Sequence, residues 1–232
     1  MKIRAYLVHV FTASGLIPIM LSVDAIWQGE ARLALIWLGV AMMIDGLDGP
    51  LARRFEVAKY APQIDGAILD HVIDFTSYCF LPALMIYHFG LVPAGYGIAA
   101  TSFLLMTSLY CFANREAKTD EYDFRGFPAL WNIVVFYMII FGSGQMLNLA
   151  AIAFFGAMTF APTRFIHPVR VVALRRLTIP LLAIWTIMVF TYLGMGRAAL
   201  PPLMDWLFMT LSVYFLALSG WRSWALRGGA KA

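Results

Sequence analysis

Four aspartates stand close together in a chain that is otherwise poor in charge. Asp45 and Asp48 lie in Asp45-Gly46-Leu47-Asp48-Gly49-Pro50-Leu51-Ala52-Arg53, and Asp70 and Asp74 in Gly66-Ala67-Ile68-Leu69-Asp70-His71-Val72-Ile73-Asp74. The first pair is three residues apart and the second four, spacings that put both members on one helix face. Two such helices, side by side and antiparallel, direct all four carboxylates to one place. Carboxylates without a positive partner are too costly in a low-dielectric setting, so something positive should hold them. Arg53 alone cannot balance four negative charges. A divalent cation is the simplest partner, and hard oxygen donors in this number suit Mg²⁺ or Mn²⁺.

The elements that position these acids are membrane helices. The 232 residues are 62% hydrophobic and 13% charged, against about 25% charged in an average soluble domain. The stretches 5–23, 33–44, 75–114, 126–163, 177–196 and 206–221 contain no Asp, Glu, Lys or Arg. A helix needs roughly 20 apolar residues to cross a bilayer. The two longest stretches each hold two crossings, with turn signals at Gly90 to Gly97 and at Gly142-Ser143-Gly144-Gln145. The expectation is one all-α integral membrane domain over 1–232 with about eight spans: 6–24, 31–52, 66–88, 94–112, 127–144, 146–164, 177–194 and 203–221. The acidic motif, 45–74, then occupies spans 2 and 3.

Basic residues orient these spans. With the N-terminus in the cytoplasm, all of the 17 Lys and Arg except Arg32 and Arg197 fall on the cytoplasmic side. The C-terminus and the acidic motif lie on that side too. The formal charge of +4 is therefore a topology and lipid-headgroup signal, not a nucleic-acid footprint. The basic, apolar N-terminus reads as a retained first span, because no small-residue cleavage site stands out before Asp24. Cys79 and Cys111 lack motif spacing and read as small buried hydrophobes.

Several further residues have two readings each. Thr12, beside Ser14 and Gly15 in span 1, either serves close helix packing or reaches a ligand. Gly46 and Gly49 leave room beside the acids, Pro50 lacks an N–H and disrupts the helix locally, and Ala52 keeps the next turn thin. Arg53 can meet a phosphate as a planar fork. Gly66 again permits close approach, and Tyr78 continues the face of Asp70 and Asp74 one turn deeper. His71 lies off that face and reads as packed or hydrogen-bonded. Trp131 either anchors span 5 at the interface or, with Asn132, faces the acids. Arg115, Arg164 and Arg170 either serve topology alone or touch lipid phosphate.

Phosphoryl transfer fits this constellation best. Bound metal neutralises charge on a diphosphate leaving group. A neighbouring carboxylate can take the proton of an attacking alcohol. At the cytoplasmic edge a lipid keeps its tails in the bilayer while its headgroup meets soluble reactants. Asp-x-x-Asp-Gly-x-x-Ala-Arg followed by Gly-x-x-x-Asp-x-x-x-Asp resembles the signature of the CDP-alcohol phosphotransferases, with Asp45, Asp48, Gly49, Ala52, Arg53, Gly66, Asp70 and Asp74 at its fixed positions. That family usually has eight residues between Arg and the second Gly; twelve stand here, Arg54 to Asp65. The longer gap, with eight spans rather than a core six, resembles the bacterial phosphatidylcholine synthase branch.

The resemblance implies a division of roles. Asp45, Asp48 and Asp70 hold a two-metal Mg²⁺ or Mn²⁺ centre, with Asp74 also near the metals and acting as general base. Asp45, Gly49, Ala52, Arg53 and Gly66 seat the CDP moiety, with Thr12 from span 1. The resemblance further implies CDP-diacylglycerol and choline as substrates, phosphatidylcholine and CMP as products, and a homodimer in the bacterial inner membrane. Choline is a quaternary ammonium, best held by aromatic faces; Tyr78 and Trp131, with Asn132 beside the latter, are the candidates. Serine or glycerol phosphate as acceptor is the nearest rival. A cation transporter is a remote one, because its carboxylates would string along a path through the membrane instead of clustering at one level.

Overall fold

The chain folds almost entirely into helices, as composition led one to expect, and the lengths of the apolar runs decide where they lie. In the computed structural model, residues 1–114, 116, 123–166 and 175–229 are described. Five helical segments are long and apolar enough to cross a membrane: Lys2–Trp27, Ala31–Arg54, Gly66–His88, Arg176–Met195 and Pro202–Trp221. Three shorter apolar helices, α7 (Gly97–Ala113), α8 (Trp131–Ile140) and α9 (Gln145–Met158), fall where spans 4, 5 and 6 were expected. Many large apolar side chains are exposed, among them Ile17, Met20, Ile98, Met106 and Ile187. In water such a surface would aggregate; in a bilayer it is the solvated face. The chain is a multi-pass membrane protein.

Packing groups the residues into two compact units, Met1–Leu105 with Leu130–Leu149 and Met106–Ala129 with Ala150–Ala232. In the first unit, α1 (Lys2–Ala13) and α2 (Leu16–Trp27) make one span broken at Ser14-Gly15. A Cβ on Gly15 would lie 3.1 Å from the Thr12 carbonyl and 3.3 Å from a methyl of Ile73. Glycine therefore lets this span press against the helix that carries Asp70 and Asp74. Gly29, at φ +79°, turns the chain into α3 (Ala31–Arg54), which packs along α2 and is tied to it by the buried Ser22 hydroxyl donating to the Ala34 carbonyl at 3.0 Å.

Pro50 stands inside α3, which continues to Arg54. The expected local disruption is thus confined to one missing N–H donor, the one that would have served the Gly46 carbonyl. Glu56, in the left-handed region at φ 47°, then turns the chain into the single-turn helix α4 (Val57–Tyr60). Val57 and Ala61 pack with Ala5 and Val8 of α1, while Glu56 and Lys59 stay exposed. The loop expected to lie on the surface does so as a short amphipathic piece clamped to α1.

Span 3 is composite. It runs as α5 (Gly66–Phe75), a π-helical turn over Thr76–Phe80, and α6 (Leu81–His88). Asp65 caps α5, its Oδ1 accepting from the backbone N–H groups of Ala67 at 2.9 Å and Ile68 at 3.2 Å. α8 (Trp131–Ile140) packs against α3 and α6. It is shorter than the expected span 127–144, because Pro128 and Ala129, the latter at φ 55°, keep the preceding residues out of the helix. On the opposite side, Asn148 Nδ2 donates to the Leu91 carbonyl at 2.7 Å and Gln145 Nε2 to that of Gly90 at 2.8 Å, joining the two turns that Gly90 and Gly142 had marked.

In the second unit, α10 (Arg175–Met195) and α11 (Pro202–Gly229) form a hairpin. The Tyr192 hydroxyl and Arg197 Nε donate to opposite oxygens of Asp205, at 2.7 and 2.9 Å. The Trp185 indole donates to Ser212 at 3.1 Å. A two-stranded antiparallel ribbon was not foreseen: β1 (Asp123–Arg125) pairs with β2 (Arg164–Ile166). Three residues a side are too few to show a strand period, so nothing announced it. It joins two loops that charge had assigned to one side of the membrane. Gly126 N donates to the Thr163 carbonyl at 2.8 Å behind it.

Gly126 sits at φ +76°, and a Cβ there would lie 2.2 Å from the Thr159 carbonyl oxygen. Both the backbone conformation and the space exclude any other residue. Gly126→Ala should lower the thermal midpoint of the detergent-solubilised protein by several degrees or abolish folded yield, since a residue forced to positive φ costs about 1–2 kcal/mol before the overlap is counted.

Candidate active site

α3 delivers Asp45, Asp48, Gly49, Ala52 and Arg53, and α5 delivers Gly66, Asp70 and Asp74, all within the first unit. The face of α5 opposite its acids is apolar and open, with Ile68 63% and Val72 58% exposed. That is the pattern of a helix with lipid on one side and polar groups turned inward. One oxygen each from Asp45, Asp70 and Asp74 lies within 4.8 Å of the others. Ligand oxygens around one octahedral divalent ion are about 3–4 Å apart, so these three are near enough to share one.

Asp48 is placed differently. It is buried, 7% exposed, and stands outside the group of three that meets at 4.8 Å. The Thr12 side chain of α1 lies beside it, its hydroxyl donating to the Val8 carbonyl at 3.3 Å, and the backbone of Gly49 is the other polar neighbour. The charges of Asp45 and Asp48 both act on Asp70, which adjoins Asp45. The structure therefore brings all four acids and Thr12 to one site, three of them at its centre and Asp48 against α1.

A Cβ on Gly46 would meet nothing within 4 Å, and one on Gly49 only Arg53 Nη1 at an ordinary 3.5 Å. Neither glycine is required by contacts inside the chain. Each leaves space beside the acids that a side chain would fill, which suits a site built to admit a ligand. Ala52 packs on the cluster formed by Ala5, Val8, Val57 and Ala61, and Arg53 is exposed. His71 is off the acidic face, its Nδ1 2.7 Å from the Ala67 carbonyl, as the hydrogen-bonded reading required.

Tyr78 has a role that residue type alone did not disclose. Its hydroxyl donates to Asp45 Oδ2 at 2.5 Å, reaching from the π-helical turn of span 3 across to α3. One oxygen of a central carboxylate is thereby fixed from behind. Only the spacing from Asp74 hinted at it. The Asp65 cap is a second supporting group passed over in sequence, although an aspartate just before a helix is the ordinary signal for one. Trp131 has no exposed surface; Asn132 is 8% exposed, with Nδ2 3.7 Å from Met42 Sδ and Oδ1 accepting from the Ile133 N–H at 2.9 Å. Arg115 and Arg170 lie outside the described residues, as does the side chain of Arg164.

A family model described as CDP-alcohol phosphatidyltransferase matches residues 5–163. The chain belongs to that family. The matched region ends before the α10–α11 hairpin, so those two helices are the ones additional to the six-helix core that the resemblance implied. The chain is also 37% identical to a phosphatidylcholine synthase of Pseudomonas aeruginosa over 96% of its length and 93% of the relative's. It is 37% identical to one from Mesorhizobium japonicum, covering 87% and 75% of the two chains. A third, from Bradyrhizobium diazoefficiens, is 40% identical over 81% and 70%. The chain is a transferase of this family, and its aspartate cluster has the make-up of a divalent-cation site.

If Tyr78 fixes Asp45, Tyr78→Phe keeps the ring packed and removes only the hydroxyl. Divalent-cation affinity should fall about 10-fold, within the 10- to 100-fold typical of groups that orient metal ligands. Titration of the purified protein with Mn²⁺, followed by electron paramagnetic resonance, reads this directly; unchanged affinity would remove Tyr78 from the supporting shell.

Proposed function

We propose that this chain transfers the phosphatidyl group of CDP-diacylglycerol to choline, giving phosphatidylcholine and CMP. The observation that carries the proposal is the convergence of Asp45, Asp70 and Asp74 within 4.8 Å at one level of the membrane domain, in a chain similar over nearly its full length to phosphatidylcholine synthases. The chain acts as a single catalytic domain in the bacterial inner membrane, with termini and site on the cytoplasmic side, and as a homodimer.

Asp45, Asp48 and Asp70 are the proposed holders of a two-metal Mg²⁺ or Mn²⁺ centre, with Asp74 beside it. When bound, such ions neutralise the diphosphate and make CMP a better leaving group. Gly49, Ala52, Arg53 and Gly66 border the CDP moiety, helped by Thr12. Arg53 presents its guanidinium fork to phosphate. Asp74 Oδ accepts the choline hydroxyl proton while the choline oxygen forms its bond to the phosphorus bearing diacylglycerol. The bond from that phosphorus to the CMP oxygen breaks, and CMP leaves with the electron pair. No covalent bond to the protein forms.

The ring of Tyr78, held beside Asp45 and Asp74, is the aromatic surface best placed for the choline cation. Trp131 and Asn132 complete the proposed choline side, and both are buried next to α3, so their contribution is chiefly to hold that wall. Arg115, Arg164 and Arg170 are proposed to meet lipid phosphate at the cytoplasmic surface.

Membranes containing the protein, supplied with CDP-diacylglycerol and a divalent cation, should form phosphatidylcholine and CMP with choline. They should form no lipid with serine or glycerol 3-phosphate; product from either in place of choline overturns the acceptor. Asp74→Asn should lower kcat by about 10³-fold, the scale of a lost general base, while CMP binding stays within a few-fold of wild type. Near-normal turnover would exclude Asp74 as the base.

A further inference from the structure

The imidazole of His9 is a buried polar group of the first unit that the chemistry above leaves unused. His9 lies on α1 and is 5% exposed, and its Nε2 has no hydrogen-bond partner among the described residues. Buried polar atoms are nearly always paired, so an exception needs an explanation. Packing alone does not supply one, since a leucine would fill such a place without an orphaned nitrogen.

The surroundings of the ring are informative. A Cβ on Gly66 would lie 3.2 Å from His9 Cε1 and 3.7 Å from Nδ1, so the imidazole rests against the first residue of α5. Three residues further along α1, on the same face, Thr12 lies beside Asp48. Four residues further along α5 stands Asp70, a member of the central trio. His9 and Gly66 thus form a layer one helical turn, about 5.4 Å, from the carboxylates, on the side where α1 begins and α3 ends. A diphosphate held at the carboxylates with its lipid tails in the bilayer would carry its nucleoside outward through this layer.

We propose that His9 is a specificity-determining residue whose Nε2 hydrogen-bonds the nucleoside of the bound CDP moiety. This rests on the phosphatidyl-transfer reading above. A neutral imidazole nitrogen can donate or accept according to tautomer, and ribose and cytosine present both kinds of partner. Gly66 then has a reason of its own: a Cβ there would press on the ring, 3.2 Å from Cε1. Thr12 and His9, three residues apart on one helix face, become two contacts of one helix, the first to a carboxylate of the site and the second to the substrate.

The test measures CMP and pyrophosphate binding to the full-length, detergent-solubilised protein in the presence of Mn²⁺. His9→Phe, which keeps the volume, should weaken CMP about 10-fold, the usual consequence of losing one buried hydrogen bond. Pyrophosphate and Mn²⁺ affinities should not change. In turnover, KM for CDP-diacylglycerol should rise and KM for choline should not, and His9→Asn should recover part of the loss. Should His9→Phe fail to give a cooperative melt, His9→Leu carries the same test. CMP affinity within twofold of wild type in the folded variant overturns the proposal. So does a parallel fall in Mn²⁺ affinity, which would make His9 a structural residue. Wild-type protein that binds Mn²⁺ but no CMP would instead overturn the phosphatidyl-transfer reading on which the proposal stands.

Discussion

Mutual repulsion among three aspartates is the constraint around which the first unit is built. Two unit charges 4 Å apart oppose each other by about 4 kcal/mol at an effective dielectric of about 20. Asp45, Asp70 and Asp74 are held at such distances, with the charge of Asp48 acting on Asp70 as well. Nothing in their own chemistry favours this. The rest of the unit must hold α3 and α5 together against it. Gly15 lets the first span reach Ile73, the Asp65 cap fixes the start of α5, and Ala5 and Val8 clamp the connecting turn through Val57 and Ala61. Tyr78 supplies a donor to Asp45 at the point of greatest crowding.

How much of this could be read in advance follows from the distances involved in each signal. The acids announced themselves because i,i+3 and i,i+4 spacings are local and because charge is conspicuous in apolar sequence. The spans were legible for the same reason, as were the turns at Gly90 and Gly142. What escaped was everything that depends on partners distant in sequence. Tyr78 and Asp45 are 33 residues apart, and no periodicity connects them. The β1–β2 ribbon joins residues some forty positions apart through three pairs. Trp131 had two readings, interfacial anchor or a residue facing the acids, and the choice depends on what covers it, which only packing decides. His9 was passed over because a single histidine in an apolar helix carries no pattern at all.

The two units distribute labour unequally. The four aspartates and the residues that support them belong to the first, whereas the second holds the α10–α11 hairpin beyond the family match. That hairpin is secured near its turn by Asp205, which Tyr192 and Arg197 both engage, and within the membrane by the Trp185–Ser212 bond and the stacking of Trp185 on Phe208. Other hydroxyls among its described residues, those of Thr186, Thr191 and Thr210, donate to carbonyls one turn back in their own helices. A helical pair so arranged satisfies its own backbone and side chains in lipid, as any addition to a membrane core must.

The wide turn at Thr76–Phe80 follows Asp74 directly and precedes α6. A π-type turn accommodates one more residue than the regular spiral around it. Above it, the orientation of α6 answers to its neighbours α2 and α8; below it, the orientation of α5 answers to Asp45 and to the wall formed by the first span. The bulge works as a swivel between the two. One helix thereby meets two sets of neighbours without keeping a single regular phase along its length.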